Sequence, residues 1–317
     1  MYILEHYATL DKISVIICCY NSNPGYLERV LQSLRNQNLP LAFWELIIID
    51  NNSDNPINLI ADIDWHPSAK LVIEEKPGLI NARIRGVYEA NFEIIVTVDD
   101  DTPLYNDYLT NVVNIFSKNP RLGVIGGRTV PEYEIQPPGW FKEFEGLLAI
   151  RDLGNDIIIE SNHQETEKMY PRAAPLLIAP RKTCMIEYIQ HFEKSHLSKQ
   201  LGRNGADLAS GEDNDINLFI YKNGWDLGYF PELKFIHLIP KERLAISYLS
   251  KMAYSSSVSW VKVLEIHKLN KNMKIAKWGI IPRQIKAWFK LKAWKNESNY
   301  IKWRGACGIF RGLAEIK

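Results

Sequence analysis

Apolar positions in the first 130 residues follow two rhythms. KISVIICCY (12–20), WELIIID (44–50), AKLVIEE (69–75), FEIIVTV (92–98) and LGVIGG (122–127) are short and non-alternating. Runs of that kind predict strands buried on both faces. Between them, PGYLERVLQSLRNQ (24–37), PGLINARIRGVYEANF (77–92) and YLTNVVNIFSKN (108–119) space their apolar residues by three and four, which predicts helices. Only a weak helical pattern follows the polar turn NNSDN (51–55). Strands alternating with helices predict an α/β fold, and right-handed crossovers make it a doubly wound, Rossmann-like sheet covered by helices.

In such a sheet, ligands bind beyond the carboxyl ends of the strands. The residues there are Tyr20 and Asn21, then Asp50 to Asp54, then Asp99, Asp100 and Asp101. CCYNSNPGY lacks the GxGxxG spacing of a dinucleotide site, and no GxxxxGK[ST] loop occurs. The three adjacent aspartates are therefore either a solvated acidic turn that starts the next helix or a site for a divalent cation. Mg²⁺ or Mn²⁺ would take one or two carboxylates and complete its shell with water and nucleotide phosphate.

Composition adds scale and asymmetry. At 317 residues and 46% hydrophobic, the chain is long enough for about two domains. Residues 241–317 carry 17 Lys or Arg against four Glu and no Asp, a net +13 that leaves −12 for residues 1–240. Five of the nine tryptophans lie in this basic tail: Trp260, Trp278, Trp288, Trp294 and Trp303. Cys18, Cys19, Cys184 and Cys307 show no metal or disulfide spacing and predict buried thiols in a reducing compartment. MYILEHYATLDK lacks the features of a secretory signal. No uninterrupted apolar run approaches the length of a membrane span.

SVIICCYN (14–21), LIIIDNNSDN (46–55), EEKPGLINARIRGV (74–87), IIVTVDDDT (94–102) and SGEDNDINLFIYKNGW (210–225) fall in order between about Lys12 and His237. Together they resemble the successive motifs of the family-2 inverting glycosyltransferases of GT-A fold, of the bacterial surface-polysaccharide type. The resemblance implies a GT-A catalytic domain over 1–240, with a nucleotide-binding half (1–127) and an acceptor-binding half (128–240), followed by a helical appendage (241–317). It places Tyr20, Asn21, Asp50 and Asn51 at the nucleotide, although the family usually has a second acid where Asn51 stands. The DxD motif falls on Asp99 and Asp101 as metal ligands for Mn²⁺ or Mg²⁺, Asp101 the more direct of the two, with Asp100 supporting either the ribose or the residues around the metal ligands. Arg83 is assigned to the diphosphate or to structure, and Ile84 replaces a common Asn.

In the same resemblance the acidic pair Glu212–Asp213 lines the acceptor pocket, with Asp213 as catalytic base. Read by residue type alone, SGED also fits an N-terminal helix cap starting at Ser210. His237, in ELKFIHLIP, is a candidate metal or diphosphate ligand or a structural histidine. Residues 128–180 are the expected acceptor wall, where Trp140 and Phe141 either stack on a sugar or pack internally.

Residues 246–317 have helical spacing, and IPRQIKAWFKLKAW mixes Trp with Lys. That composition suits an interfacial helix on anionic lipid or a packed layer with solvated lysines. Nucleic acid is not expected, because no recognised nucleic-acid motif accompanies the charge. The function implied is transfer from a nucleotide-diphosphate sugar, UDP-sugar favoured, to a glycan or lipid-linked acceptor, in the cytoplasm and peripheral to the inner membrane face. The alternatives are a nucleotidyltransferase, which would show a glycine-rich basic loop after the first strand, and an inactive GT-A-like scaffold.

Overall fold

The computed structural model describes residues 11–162, 170–175, 179–202, 208, 210–269 and 274–316. The first ten residues, on which the leader reading mostly rests, lie outside that set, as do parts of the 128–180 stretch. The chain divides into two compact units, 1–131 with 151–190 and 216–238, and 132–150 with 191–215 and 239–317.

The first unit is built on four parallel strands, β1 (Ile13–Cys19), β2 (Trp44–Asp50), β3 (Ala69–Ile73) and β4 (Ile94–Asp99), in the order β3-β2-β1-β4. The expected parallel α/β sheet is thus formed. Register pairs Cys19 with Asp50, Cys18 with Asp99 and Asp50 with Ile73, which brings the polar strand ends to one edge. Three helices accompany the strands: α1 (Pro24–Arg35), α2 (Leu79–Glu89) and α3 (Tyr108–Lys118). Asn23 caps α1 by accepting from the Gly25 and Tyr26 amides, and Leu27, Val30, Leu31 and Leu34 form its buried face. Those four are the positions whose spacing predicts the helix.

Two elements depart from the pattern. Between β2 and β3 the chain makes only a 3-10 turn, Ile57–Leu59, and the Ile57 amide donates to Asp50 Oδ2 at 3.2 Å. LGVIGG opens β5 (Leu122–Tyr133), which does not join the parallel sheet. It enters a second four-stranded sheet ordered β6 (Ile158–Glu160), β8 (Asp226–Ile239), β5 and β7 (Ala179–Pro180), antiparallel where β5 meets β7 and where β6 meets β8. The first five residues of β5 are fully buried and imitate a parallel strand, whereas the rest is partly exposed, as antiparallel sheets allow. Helices α4 (Lys182–Lys194) and α5 (Glu212–Lys222) complete this part of the chain order.

The C-terminal part of the second unit is a helical layer of α6 (Ile246–Ile266), α7 (Ile280–Leu291) and α8 (Glu297–Glu315). α6 and α8 meet backbone to backbone: a Cβ at Gly308 would stand 2.2 Å from the Tyr254 carbonyl oxygen. α7 leans on α8 through Trp288, whose ring lies 4.8 Å from that of Trp303. The Trp303 indole in turn donates to the Gln284 carbonyl at 3.0 Å. Phe141, Phe144, Leu148, Ile239, Leu249 and Ile301 belong to one hydrophobic core of this unit. Among the described residues, no helix is long and apolar enough to cross a membrane. Of the cysteines, Cys19, Cys184 and Cys307 are buried and Cys18 is half-buried, all as free thiols.

Candidate active site

At the edge where β1 and β2 end, polar side chains first hold the loops in place. Asn21 has a left-handed backbone (φ 49°), a conformation asparagine tolerates. Its amide nitrogen Nδ2 donates to Asp54 Oδ2 at 2.9 Å while its Oδ1 accepts from the Asp54 backbone amide at 2.9 Å. Its own backbone amide donates to Ser53 Oγ at 3.0 Å. Asp50 is buried and accepts from the Ser53 and Ile57 amides, so its carboxylate organises the turn after β2. Tyr20 stands exposed beside them.

Asn51 is also buried, and all three of its side-chain bonds go to one loop. Nδ2 donates to the carbonyls of Glu74 (3.0 Å) and Lys76 (2.8 Å), and Oδ1 accepts from the Gly78 amide at 2.8 Å. Gly78 has φ 122°, which an L side chain rarely adopts, and it starts α2. A carboxylate at position 51 has no hydrogens to give those two carbonyls. The amide is therefore a requirement of this loop.

The end of β4 gathers the three aspartates with different surroundings. Asp99 is half-exposed, and its Oδ1 lies 3.9 Å from the guanidinium of Arg83, which is buried on α2. Thr102 closes the turn, its hydroxyl donating to the Asp99 carbonyl and accepting from the Asp99 amide, both at 3.0 Å. Asp100 accepts from the Ser22 hydroxyl, which joins the β1 and β4 loops. Asp101 is buried, and its Oδ2 stands 3.6 Å from Nε2 of His237, also buried.

At 3.6 Å that pair is too long for a hydrogen bond. Two donors each about 2.1 Å from one cation lie about 3 Å apart or more, so a single ion can span them. Oxygen and imidazole donors fit Mn²⁺ best of the two expected ions, because Mg²⁺ prefers oxygen alone. Among the described residues, no three His, Cys, Asp or Glu side chains converge as a metal cluster. Of the set Asp99, Asp101 and His237, the close pairing is between the latter two, while Asp99 faces Arg83.

In the second unit, Glu212 and Asp213 open α5 as the motif reading expects, Glu212 buried and Asp213 partly exposed. The cap differs from expectation. The Asp215 amide donates to the Gly211 carbonyl at 2.9 Å, which puts Gly211 at the cap, and the Ser210 hydroxyl pairs with Ser256 at 2.8 Å. Asp215 is fully buried and lies 2.7 Å from His267 Nε2, at the end of α6. Phe141 is a core residue packed edge-on against Tyr133 at 5.8 Å, so it offers no face to a sugar. Trp140 is half-buried, edge-on to Phe144 at 6.0 Å.

Sequence reasoning did not single out Ser22, Asp215 or His267, and it named Ser53 only as part of the strand-end group from Asp50 to Asp54. Asp215 lies within the quoted acidic motif, three positions after Glu212. His267 has no local signal, because only the packing of α6 brings it there.

The family model of glycosyl transferase family 2 matches residues 14–182. Poly-beta-1,6-N-acetyl-D-glucosamine synthase of Staphylococcus epidermidis is 32% identical over 120 residues, covering 37% of this chain and 28% of that protein. Glucosyl-dolichyl phosphate glucuronosyltransferase of Haloferax volcanii is 25% identical over 149 residues, 45% of this chain and 46% of the relative. The alignments thus span less than half the length of these curated relatives. The crystal structure of S. aureus TarS 1-349 in complex with UDP-GlcNAc superposes with a TM-score of 0.54 at 13% identity, over 96% of this chain and 90% of that one, a likeness of fold.

Proposed function

The chain belongs to glycosyl transferase family 2, and on that premise we propose that it is a metal-dependent, inverting glycosyltransferase. It takes a sugar from a nucleoside diphosphate, UDP being favoured, and delivers it to a glycan or lipid-linked acceptor at the inner face of the cell membrane. The observation that carries this reading is the Asp101–His237 pair on the sheet edge that also presents Asp99, Arg83 and Tyr20. The relatives' names support the substrate class, since one makes an N-acetylglucosamine polymer and the other acts on a dolichyl phosphate glucoside.

Each residue has a stated task in this reaction. Asp101 and His237 hold Mn²⁺ or Mg²⁺, and the cation, when bound, offsets charge on the departing diphosphate. Arg83 supplies a fixed positive charge beside Asp99, where the diphosphate arrives. Tyr20, Asn21, Asp50 and Asn51 shape the nucleoside end, the last three through the loops they hold. Asp100 braces the β1 and β4 loops through Ser22. Asp213, with Glu212 beside it, removes the proton from the acceptor hydroxyl as that oxygen attacks the anomeric carbon opposite the leaving group. One base and one displacement invert the anomeric centre.

The test is calorimetric binding of a panel of nucleoside diphosphates, with Mn²⁺, with Mg²⁺ and with chelator, on wild type and Asp101→Ala. Metal-dependent binding of one nucleotide that disappears in the variant supports the donor site. Binding to none, or binding indifferent to metal, returns the aspartates to an acidic turn and favours a scaffold.

A further inference from the structure

Helix α7 is amphipathic in the inverted sense for a surface helix. Its one buried residue is Ala287, while Ile281, Ile285 and Phe289 are 66%, 55% and 64% exposed. These three sit four residues apart, so they form one stripe along the helix. At 100° per residue the centre of that stripe lies roughly opposite Ala287, while Trp288, which meets α8, borders it beside Ile281. Trp278, 82% exposed in the 3-10 turn before α7, and Trp294, 57% exposed after it, extend the stripe at both ends. Trp294 folds over Phe289 with ring centroids 5.7 Å apart.

Charge surrounds this stripe on one sign only. From His267 to Asn296 the sequence has nine Lys or Arg and no acid. On α7 itself Arg283, Lys286 and Lys290 occupy one flank and are all exposed. A helix of 12 residues, about 18 Å long, cannot cross a bilayer. It can lie in the headgroup plane, with its apolar face in the acyl boundary, Trp at the polar–apolar border and cations toward anionic headgroups.

We propose that α7, with Trp278 and Trp294, is a monotopic anchor that seats the second unit on an anionic phospholipid surface. The proposal gives the membrane location stated above a defined surface, and rests on that reading for location alone. A second copy of the chain would cover the same apolar stripe, but it would bring an identical cationic flank to a cationic flank. A bilayer bearing acidic headgroups satisfies both the stripe and the charge.

The experiment is co-sedimentation of the full chain with phosphatidylcholine vesicles, with and without about 30% phosphatidylglycerol, at low and high salt. No substrate is present. Wild type is expected to bind the anionic vesicles about 10-fold or more tightly than the neutral ones, and high salt should erase much of that difference. Ile285→Ser with Phe289→Ser should lose binding about 10-fold or more. Lys286→Gln with Lys290→Gln should bind neutral and anionic vesicles alike. All four side chains are exposed, so nucleotide calorimetry on the same preparations should match wild type. Failure of wild type to bind anionic vesicles, or full binding by the Ser variant, overturns the anchor. So does a lipid-free dimer, seen by light scattering, that the Ser variant makes monomeric. Vesicle binding without nucleotide binding would sink the enzymatic reading and leave the anchor standing.

Discussion

His237 Nε2 stands 3.6 Å from Asp101 Oδ2, and the backbone sets that distance. The Leu238 amide donates to the Asp101 carbonyl at 3.0 Å, the Ile236 amide to Pro103 at 2.8 Å, and the Tyr105 amide to Lys234 at 3.1 Å. This ladder holds whichever side chains occupy 101 and 237. Asp101→Asn and His237→Gln should therefore leave the urea midpoint close to wild type. Each should weaken Mn²⁺-dependent UDP binding and slow transfer by on the order of 10²-fold or more. Titration calorimetry and an initial-rate assay on the same samples check both halves.

Asp213→Asn is expected to separate chemistry from binding. A general base contributes roughly 10²–10⁴ in rate, so transfer should fall in that range while UDP affinity stays unchanged. An equal loss in UDP affinity would move Asp213 from acceptor activation to donor binding.

Asn51→Asp tests the amide requirement after β2. The variant turns carboxylate oxygens toward the Glu74 and Lys76 carbonyls that now receive donors. Stability should drop by about 2 kcal/mol or more, since buried acceptors are left unmatched. Chemical denaturation at neutral pH reads this directly, and Asn51→Gln should recover little because its amide sits one methylene too far out.

The Asp215–His267 pair anchors the start of α5 to the end of α6. Removing one partner of a buried pair costs about 3–5 kcal/mol, because the other keeps an uncompensated charge or donor. His267→Ala should show that loss, and a double-mutant cycle with Asp215→Asn should show coupling between the two. Without that coupling, the two residues act independently.

His66 provides a pH signature in the first unit. Its ring lies 4.2 Å from Trp44 and 5.4 Å from Trp65, and burial lowers its pKa from 6.5 to about 4. Nδ1 accepts from the Ser68 amide at 3.1 Å, a bond that protonation there would break. A folded value below the unfolded one means the native state favours the neutral ring. Stability from this source is complete above 6.5 and is lost as pH falls toward 4. Urea midpoints between those limits should decline less steeply in His66→Asn, which keeps an acceptor for Ser68 and removes the titrating ring.

Local pattern announced every strand of the parallel sheet and the helices around it, because burial on both faces leaves continuous apolar runs. LGVIGG read as a fifth parallel strand because its buried half is indistinguishable from one; the exposed residues that mark it as antiparallel come later, in RTVPEY. The candidate donor residues were legible as strand ends, since topology alone brings Tyr20, Asp50 and Asp99 to one edge. What Asn51 does there was not, because its partners are carbonyls, and a carbonyl leaves no mark in the sequence. The same holds for Phe141: an aromatic in a Pro- and Gly-rich stretch reads equally as platform or as core, and only packing decides. The outward stripe of α7 was visible as Trp and Lys mixed in helical spacing, but its orientation depends on which side α8 takes.

The ladder between residues 101–105 and 234–238 also has a temporal side. β4 and its aspartates are made early, whereas the strand that carries His237 is made about 130 residues later. A nascent chain that ends between Tyr105 and Lys234 has its DDD run made and the backbone of Pro103 to Tyr105 still without the partners it has in β8. Closing such a distant contact is slow compared with forming the sheet's neighbouring elements. The Asp101–His237 pair should thus close only after the His237 strand has been made, and a chain cut between Tyr105 and Asp226 should keep the parallel strands and the aspartates without their histidine.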